Sequence, residues 1–377
     1  MREDQSRSPG GQRCRGLQIE PLPPHAAGPH ANAADTPRGL TPCLQEKYIV
    51  LPQGSGGAPC APRGADATPG LDAASGVTYP KLQSAGGPPA LICDVVIPTR
   101  DRPAALRGAV ASALAALPCA SAGVIVVDNA SRPPASEALA KIRDPRLRIV
   151  VNPGPHGPAA ARNFGVAQSR AATVFFLDDD DALLPDYIAR IEARRVGRAR
   201  AARFGFAAMR RGRRVIGARR SGPLDAATPL RRRLAGLGMG VWIERALFEE
   251  IGGIDTALDV NEDTEFFLRL AAAGAEGWYS AEPGVVIRPG VAAGELASIT
   301  DRSDPAIRAA AFDYILTRHG DFLNAHPRTR RHLMRRVIKY RARAGDRAAA
   351  LAVAARERAP LHRALLTAYA RTVPARG

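Results

Sequence analysis

Between residues 91 and 298 the chain alternates short apolar runs with amphipathic stretches. Asp94-Val95-Val96-Ile97 reads as a buried strand ending at Pro98-Thr99. A helix is expected next, with Pro103 in its first turn and Leu106, Val110, Leu114 and Leu117 along one face. Gly123 to Val127 is a second strand, closed by Asp128-Asn129, and a short helix is expected near Ser136–Ile142. Leu147 to Val151 is a third strand, Ala159 to Ala167 a helix, and Thr173 to Leu177 a fourth strand. Strand and helix in strict alternation predict an α/β domain built on a mainly parallel sheet with right-handed crossovers.

The pattern then loosens. Phe204–Phe206 and Val215–Gly217 flank a basic turn and fit a hairpin, and Gly240–Ile243 fits another strand. Glu244–Ile251 is expected as a short helix ended by Gly252-Gly253 in a left-handed cap. Asn261 is the expected N-cap of a helix over Glu262–Ala273, with Phe266, Phe267 and Leu270 facing the core. Residues 299–377 are helical in pattern and rich in Ala and Arg, with Gly345-Asp346 as a turn between two helices. Residues 1–90 are dominated by Pro, Gly, Ala and Ser, and only Tyr48–Leu51 looks strand-like. That composition predicts a disordered extension. Three regions are therefore expected: residues 1–90, 91–298 and 299–377.

The formal net charge is +17 and comes almost wholly from arginine. Clusters lie between Arg190 and Arg233 and in the C-terminal region from Arg328 to Arg343. Such clusters attract anionic lipid, acidic substrates or nucleic acid, and they also occur as solvated helix faces. No aromatic-interleaved basic motif or zinc-finger spacing appears, which argues against nucleic acid. The five cysteines form no CxxC pair and fit a reducing compartment. No apolar run reaches the roughly 18 residues that a membrane span needs. These features predict a cytoplasmic protein, at most peripheral at the inner membrane face through its basic tail.

Three predicted strands end in polar residues: Pro98-Thr99-Arg100, Asp128-Asn129, and the four aspartates Asp178 to Asp181. In a parallel sheet these ends share one edge, where ligands bind. Four adjacent carboxylates repel one another, and the repulsion raises pKa values or recruits a cation. An acidic run before Ala-Leu-Leu-Pro also fits a solvated turn and helix start, with Pro185 at the first helical position and Asp181 or Asp186 serving that helix. Neither GxxxxGK[ST] nor GxGxxG is present, which excludes ordinary P-loop and dinucleotide sites. A nucleoside diphosphate spanning Asp128 and the acidic run would need a metal and arginines for its charge.

Six blocks in order resemble the family 2 glycosyltransferases of the GT-A fold. They are Val95–Arg102, Val126–Ser131, Gly157–Asn163, Phe176–Asp181, Gly252–Asp255 and Asn261–Asp263, the last followed by Phe266–Leu270. The resemblance covers roughly Cys93 to Pro289. It implies that Pro98, Thr99, Arg100 and Arg102 line the nucleotide pocket. Asp128 and Asn129 would meet base or ribose, and Arg162 would support the nucleotide. Asp178 and Asp180 match the DxD metal motif, with Asp179 beside them in the nucleotide site. Asp263 matches the catalytic base, with Glu262 next to it. The cofactor implied is Mn²⁺ or Mg²⁺. Family members often carry a His after the base helix, where this chain has Arg288, so a diphosphate contact there would fall to Arg288.

The resemblance implies an inverting transfer of a hexose-type sugar from a nucleotide donor, UDP-linked by preference, to a hydroxyl of a glycan, lipid-linked or protein acceptor. Cell-wall or polysaccharide biosynthesis fits such an activity. The alternative is a non-catalytic protein of the same fold that binds sugar nucleotides or polyanions. Nothing in Ala182–Gly240 points to a particular donor sugar or acceptor.

Overall fold

The computed structural model describes residues 93–288, except 198 and 200, and residues 303–374. The expectations for residues 1–90, including a strand at Tyr48–Leu51, lie outside the described residues.

The first half folds as its pattern dictates. The elements are β1 (Cys93–Thr99), α1 (Pro103–Ala116), β2 (Gly123–Asp128), α2 (Ala135–Ala138), β3 (Leu147–Val151), α3 (Pro158–Gln168) and β4 (Thr173–Phe176). The order β3-β2-β1-β4 is parallel throughout. Alternate residues of β1 and β2 enter cores on opposite faces. Val95, Ile97, Val124 and Val126 pack with α1, whereas Val96, Ile125 and Val127 pack with α3. Burial on both faces explains why these strands read as continuous apolar runs.

Close approach of α3 to the sheet depends on Gly165. A Cβ there would collide with Val96 and would lie 2.9 Å from Val127 Cγ2. The helix therefore sits low over β1 and β2, with its N-terminal turn at the carboxyl edge.

The second half is mixed. It comprises β5 (Asp181–Leu183), α4 (Tyr187–Val196), β6 (Phe204–Arg211), β7 (Arg214–Ile216), β8 (Gly222–Leu224), α5 (Leu230–Arg233), β9 (Trp242–Glu244), α6 (Arg245–Glu250), α7 (Glu262–Ala272) and β10 (Gly277–Ile287). The sheet continues from β4 as β9-β6-β10-β5, with β9 and β5 antiparallel to their neighbours and β6 parallel to β10. The expected hairpin is β6–β7. The GT-A architecture expected from the six blocks is the one observed.

Three local expectations change. The helix near Ser136–Ile142 shortens to α2. Asp181 opens a buried strand rather than a helix, because β5 pairs with Val285–Ile287 of β10. Asp186 does stand at the N-cap position of α4, yet it makes no capping bond and instead pairs with Arg190 at 2.9 Å. Pro185 consequently precedes the cap.

Five helices follow: α8 (Pro305–Arg318), α9 (Gly320–Asn324), α10 (Pro327–Arg343), α11 (Arg347–Ala355) and α12 (Pro360–Thr372). The predicted turn at Gly345-Asp346 joins α10 to α11, and Asp346 caps α11 by accepting from Ala349 N–H at 2.9 Å. These helices share an apolar core with Leu258, Val260, Leu268 and Ala271. Helix α7 is thus buried from two sides. Phe266, Phe267 and Leu270 face the sheet's core, as the pattern predicts, and Leu268 and Ala271 face the C-terminal helices.

Candidate active site

The carboxyl ends of β1, β2 and β4 meet beside a cavity of about 690 Å³. That lies inside the usual range for small-molecule sites, about 300–1,000 Å³. Its walls include Thr99, Arg102, Arg162, Asp178, Glu262 and Asp263.

The strand registers set the first contacts. Thr99 of β1 lies opposite Asp128 of β2. Thr99 Oγ1 donates to Asp179 Oδ2 at 2.7 Å. Arg102, the residue before α1, reaches Asp179 Oδ1 at 2.9 Å and Asp180 Oδ2 at 2.8 Å. From α3, Arg162 spans the cavity floor. It donates to Asp178 Oδ1 at 2.7 Å and to Glu262 Oε1 at 3.0 Å, and its side chain is 8% exposed. The half-buried Arg102 and the buried Arg162 therefore tie the end of β4 to the loop before α1 and to the first turn of α7.

Every residue proposed from the sequence can now be located. Pro98, Thr99, Arg100, Arg102, Asn129, Arg162, Asp178, Asp179, Asp180, Glu262 and Asp263 all line the cavity. Arg100 is at the rim, with its side chain 57% exposed. Asn129 Oδ1 accepts from Asn152 Nδ2 at 2.9 Å, and His156 Nδ1 lies 3.3 Å from the same oxygen. Asp128 is not among the residues that line the cavity. It is buried behind the wall, and its two oxygens accept from Ser131 N–H at 2.8 Å and Ala135 N–H at 2.7 Å. In this state it shapes the loop after β2. Arg288 does not line the cavity either: its guanidinium is packed on α1 and donates to Gly108 O at 2.9 Å.

The four aspartates divide by orientation. Asp179 turns toward Thr99 and Arg102. Asp178, Asp180 and Asp181 gather instead, with one oxygen from each within 4.8 Å of the others. Burial pushes the Asp181 carboxyl up to about 8, with the charges of Asp178 and Asp180 adding to it. Burial also raises Asp179, to about 6, against the opposing pull of Arg102 and Thr99. Asp180 is raised by burial and by Asp178. A set of three carboxylates that holds a proton at neutral pH fits a hard dication, which would replace that proton with charge. The residues that would hold it are Asp178, Asp180 and Asp181, the last being a partner that the sequence reading assigned to a helix start.

Glu262 and Asp263 begin α7. Burial holds both above the ordinary carboxylate range; Arg162 opposes the shift at Glu262, and the Thr264 N–H opposes it at Asp263. Asp263 Oδ1 accepts from that N–H at 2.6 Å. Asn261 does precede the helix, in a left-handed conformation at φ 62°, but makes no side-chain cap. Its Oδ1 is buried without a partner at the cavity wall.

The sequence reading missed the loop Gly236–Met239, which closes the cavity over the acids. A Cβ at Gly238 would collide with Asp178 Oδ2 and would lie 3.8 Å from Asp181 Oδ2. Gly238→Ala is expected to displace the Asp178 carboxylate. Mn²⁺ affinity should weaken by about tenfold, the cost of roughly one lost charged contact. Calorimetric titration of Mn²⁺ checks this, and unchanged affinity would mean that Asp178 is not a ligand. Asn163 was also missed as a positioning residue. It clasps Ile254 through Nδ2 to O at 2.7 Å and through Oδ1 from N–H at 2.8 Å. Arg308, from α8, lines the cavity too, and no local signal in its Ala-rich helix distinguishes it.

Comparison with known proteins agrees with the architecture. Residues 94–211 match the family described as glycosyl transferase family 2. A stretch of 68 residues is 37% identical to succinoglycan biosynthesis protein ExoO of Rhizobium meliloti (strain 1021), covering 18% of this chain and 20% of that protein. The chain thus matches about a fifth of the length of that relative. Among solved structures, S. aureus TarS 1–349 is similar with a TM-score of 0.52 at 17% identity, covering 74% of this chain and 86% of that one. The same protein in complex with UDP-GlcNAc gives 0.50 at 18% identity, covering 74% and 87%. At such identity the likeness to TarS is one of fold.

Proposed function

We propose that this chain, which carries a glycosyltransferase family 2 domain, is an inverting and metal-dependent enzyme. It moves a hexose-type sugar from a nucleotide donor, UDP-linked by preference, to an acceptor hydroxyl in glycan, glycolipid or glycoprotein synthesis. One observation carries the reading: an oxygen-only acidic trio, the arginines Arg102 and Arg162 and the half-buried carboxylate pair Glu262-Asp263 converge on one cavity. Polysaccharide or cell-wall synthesis is the setting we favour, at the cytoplasmic side of a membrane. Among the described residues no helix is long and apolar enough to cross one.

The chemistry follows from those groups. Bound at Asp178, Asp180 and Asp181, a dication such as Mn²⁺ or Mg²⁺ would supply Lewis-acid stabilisation of the leaving diphosphate. Arg102 and Arg162 stand beside the same acids and add fixed positive charge where the leaving group develops its own. Asp263 takes the acceptor hydroxyl proton as that oxygen bonds to the anomeric carbon and the bond to the diphosphate breaks. A hydroxyl is a far weaker acid than a carboxylic acid, so the proton moves late, together with bond formation. The raised proton affinity of Asp263 favours that transfer.

The direct test is a panel of sugar nucleotides, read as thermal shift and as released nucleoside diphosphate, with and without Mn²⁺. The expected result is turnover of one UDP-sugar that EDTA abolishes and Mn²⁺ restores. Binding of UDP and Mn²⁺ with no turnover of any donor would instead identify a non-catalytic binding protein.

A further inference from the structure

The tip of the β6–β7 hairpin is a cluster of unneutralised charge. Gly212, in the left-handed region at φ 55°, lets a two-residue loop of Gly212 and Arg213 join the strands. Arg210 and Arg211 lead into that loop and Arg214 leads out of it, and residues 210–215 are all exposed. Arg203, just before β6, pairs with Glu244 at 3.1 Å and with Glu250 at 2.9 Å. At the other end of the strand, among the described residues, no carboxylate pairs with Arg210, Arg211, Arg213 or Arg214. Asp225 is the one acidic residue between 204 and 233, and it accepts from Thr228 N–H and from Thr228 Oγ1, each at 3.0 Å. Arg211 lies directly opposite Arg214, and like charges so placed weaken a hairpin. A partner of opposite charge relieves that repulsion.

The sheet register sets this tip beside the acids. Arg210 pairs with Val286 of β10, and Val286 pairs with Ala182 of β5. Asp181 is the next residue of β5 toward the tip, and Met209, the residue before Arg210, lines the cavity. Burial raises the Asp181 carboxyl, and the charge of Arg211 opposes that rise. None of the four arginines is among the described residues that line the cavity. They stand outside it, at the end of the sheet where it opens.

The arrangement suits an extended anionic surface. Consecutive strand residues point to opposite faces, so Arg210 and Arg211 flank the ribbon on both sides. One small anion cannot meet all four cations, whereas a charged plane meets the tip end-on. The run Arg210–Val215 holds no aromatic or amide side chain to read the units of a polymer, which leaves charge as the property it recognises. Val215, 39% exposed, adds a single apolar contact. We propose that the β6–β7 hairpin docks on an anionic lipid bilayer and holds the open end of the cavity at the headgroups. Clusters of four or more cations bind such surfaces. With one apolar residue at the tip, attachment is reversible and sensitive to salt. This deepens the membrane setting proposed above, and its test needs no turnover.

The test is flotation of the full chain with vesicles of equal parts phosphatidylcholine and phosphatidylglycerol. The wild type should float with them and not with pure phosphatidylcholine. NaCl at about 1 M should release it, because the screening length there is about 3 Å. Arg210→Gln/Arg213→Gln/Arg214→Gln should weaken binding by about a hundredfold, at roughly fivefold per cation near an anionic surface. Arg211 is left in place because its charge acts on Asp181. The matching lysine triple should keep the binding, since a lipid surface reads charge. Arg328→Gln/Arg358→Gln/Arg371→Gln removes equal charge from exposed positions of the C-terminal region and should change binding little. Melting curves establish that each variant is folded. Equal binding by wild type and the hairpin glutamine triple would overturn the inference. So would a larger loss in the C-terminal triple, which would make those helices the docking face. Loss in the lysine triple would mark a pocket for a defined anion and overturn it as well. A wild type that ignores the vesicles but binds short-chain polyphosphate through the same arginines would make the partner a soluble polyanion instead. A chain that binds the vesicles yet turns over no sugar nucleotide refutes the glycosyltransferase reading and leaves the docking surface standing.

Discussion

Asp263→Asn is expected to lower kcat by roughly 10²–10⁴-fold, the usual contribution of a general base. The substitution keeps the shape of the side chain and its acceptor oxygen for the Thr264 N–H. It removes only the ability to take a proton. KM for the donor should change little, because the proposed diphosphate site is built from Arg102, Arg162 and the acidic trio, not from Asp263. A pH series makes the assignment sharper. In the wild type the base must be ionised, and burial raises its pKa. Activity should therefore fall as pH drops through a value above the ordinary carboxylate range. Stability should move the other way. As pH rises, the unfolded chain releases the Asp263 proton first and the folded chain later, so ionisation of this group weakens the fold. The Asn variant escapes that cost and should melt at the same temperature as wild type or slightly higher above pH 7. Steady-state UDP release and thermal melts across pH provide both readouts. A variant with full kcat would move the base role to Glu262 or to water.

Much of this site was legible because strand ends are fixed by local rules. An apolar run must stop where polar residues begin, and parallel order then brings Thr99, Asp128 and Asp178 to one edge. The limit is side-chain direction. Asp128 lies on the right edge, but the loop after β2 turns its carboxylate inward to satisfy two backbone N–H groups. Asp181 looked like the start of a helix because Pro185 and Asp186 follow it. Its pairing with Ile287 of β10 spans more than a hundred residues, and no local pattern encodes such a contact. Asn261 has the residue type and position of a cap, yet its left-handed backbone prevents the capping bond. The C-terminal helices were legible as helices from Leu333, Val337 and Ile338. That they deliver Arg308 to the cavity depends on how α8 packs under Val260, which is a tertiary fact.

Glu265→Ala is expected to destabilise the protein by about 3–5 kcal/mol, the cost of breaking a buried charge network from one side. Glu265 lies two residues after Asp263 in α7 and its side chain is fully buried. It accepts from Arg269 Nε at 2.9 Å, the Arg318 guanidinium forms an ion pair with it at 3.2 Å, and His319 Nε2 lies 3.1 Å away. Arg269 in turn donates to Ile251 O and Gly253 O, so the turn before α7 is held by the same group. Arg318 and His319 end α8, so one carboxylate joins α7 both to the Gly252-Gly253 turn and to the C-terminal helices. Ala removes the anion and leaves the largely buried Arg269 guanidinium without its carboxylate partner. At a few degrees per kcal/mol for a chain of this size, Tm should fall by on the order of 10 °C. Glu265→Gln keeps part of the hydrogen bonding and should cost less. The pH dependence has a definite sign. Burial pushes the Glu265 pKa up, but the bonds from His319 and Arg269 outweigh it and hold the group below its ordinary value of 4.5. Its stabilisation is therefore complete above that value and is lost as pH falls through the lower folded one. Wild type and Glu265→Ala should then differ most near neutrality and converge in acid. Equal melting temperatures at pH 7 would show that packing of Leu268 and Ala271 alone holds α7 against the C-terminal helices.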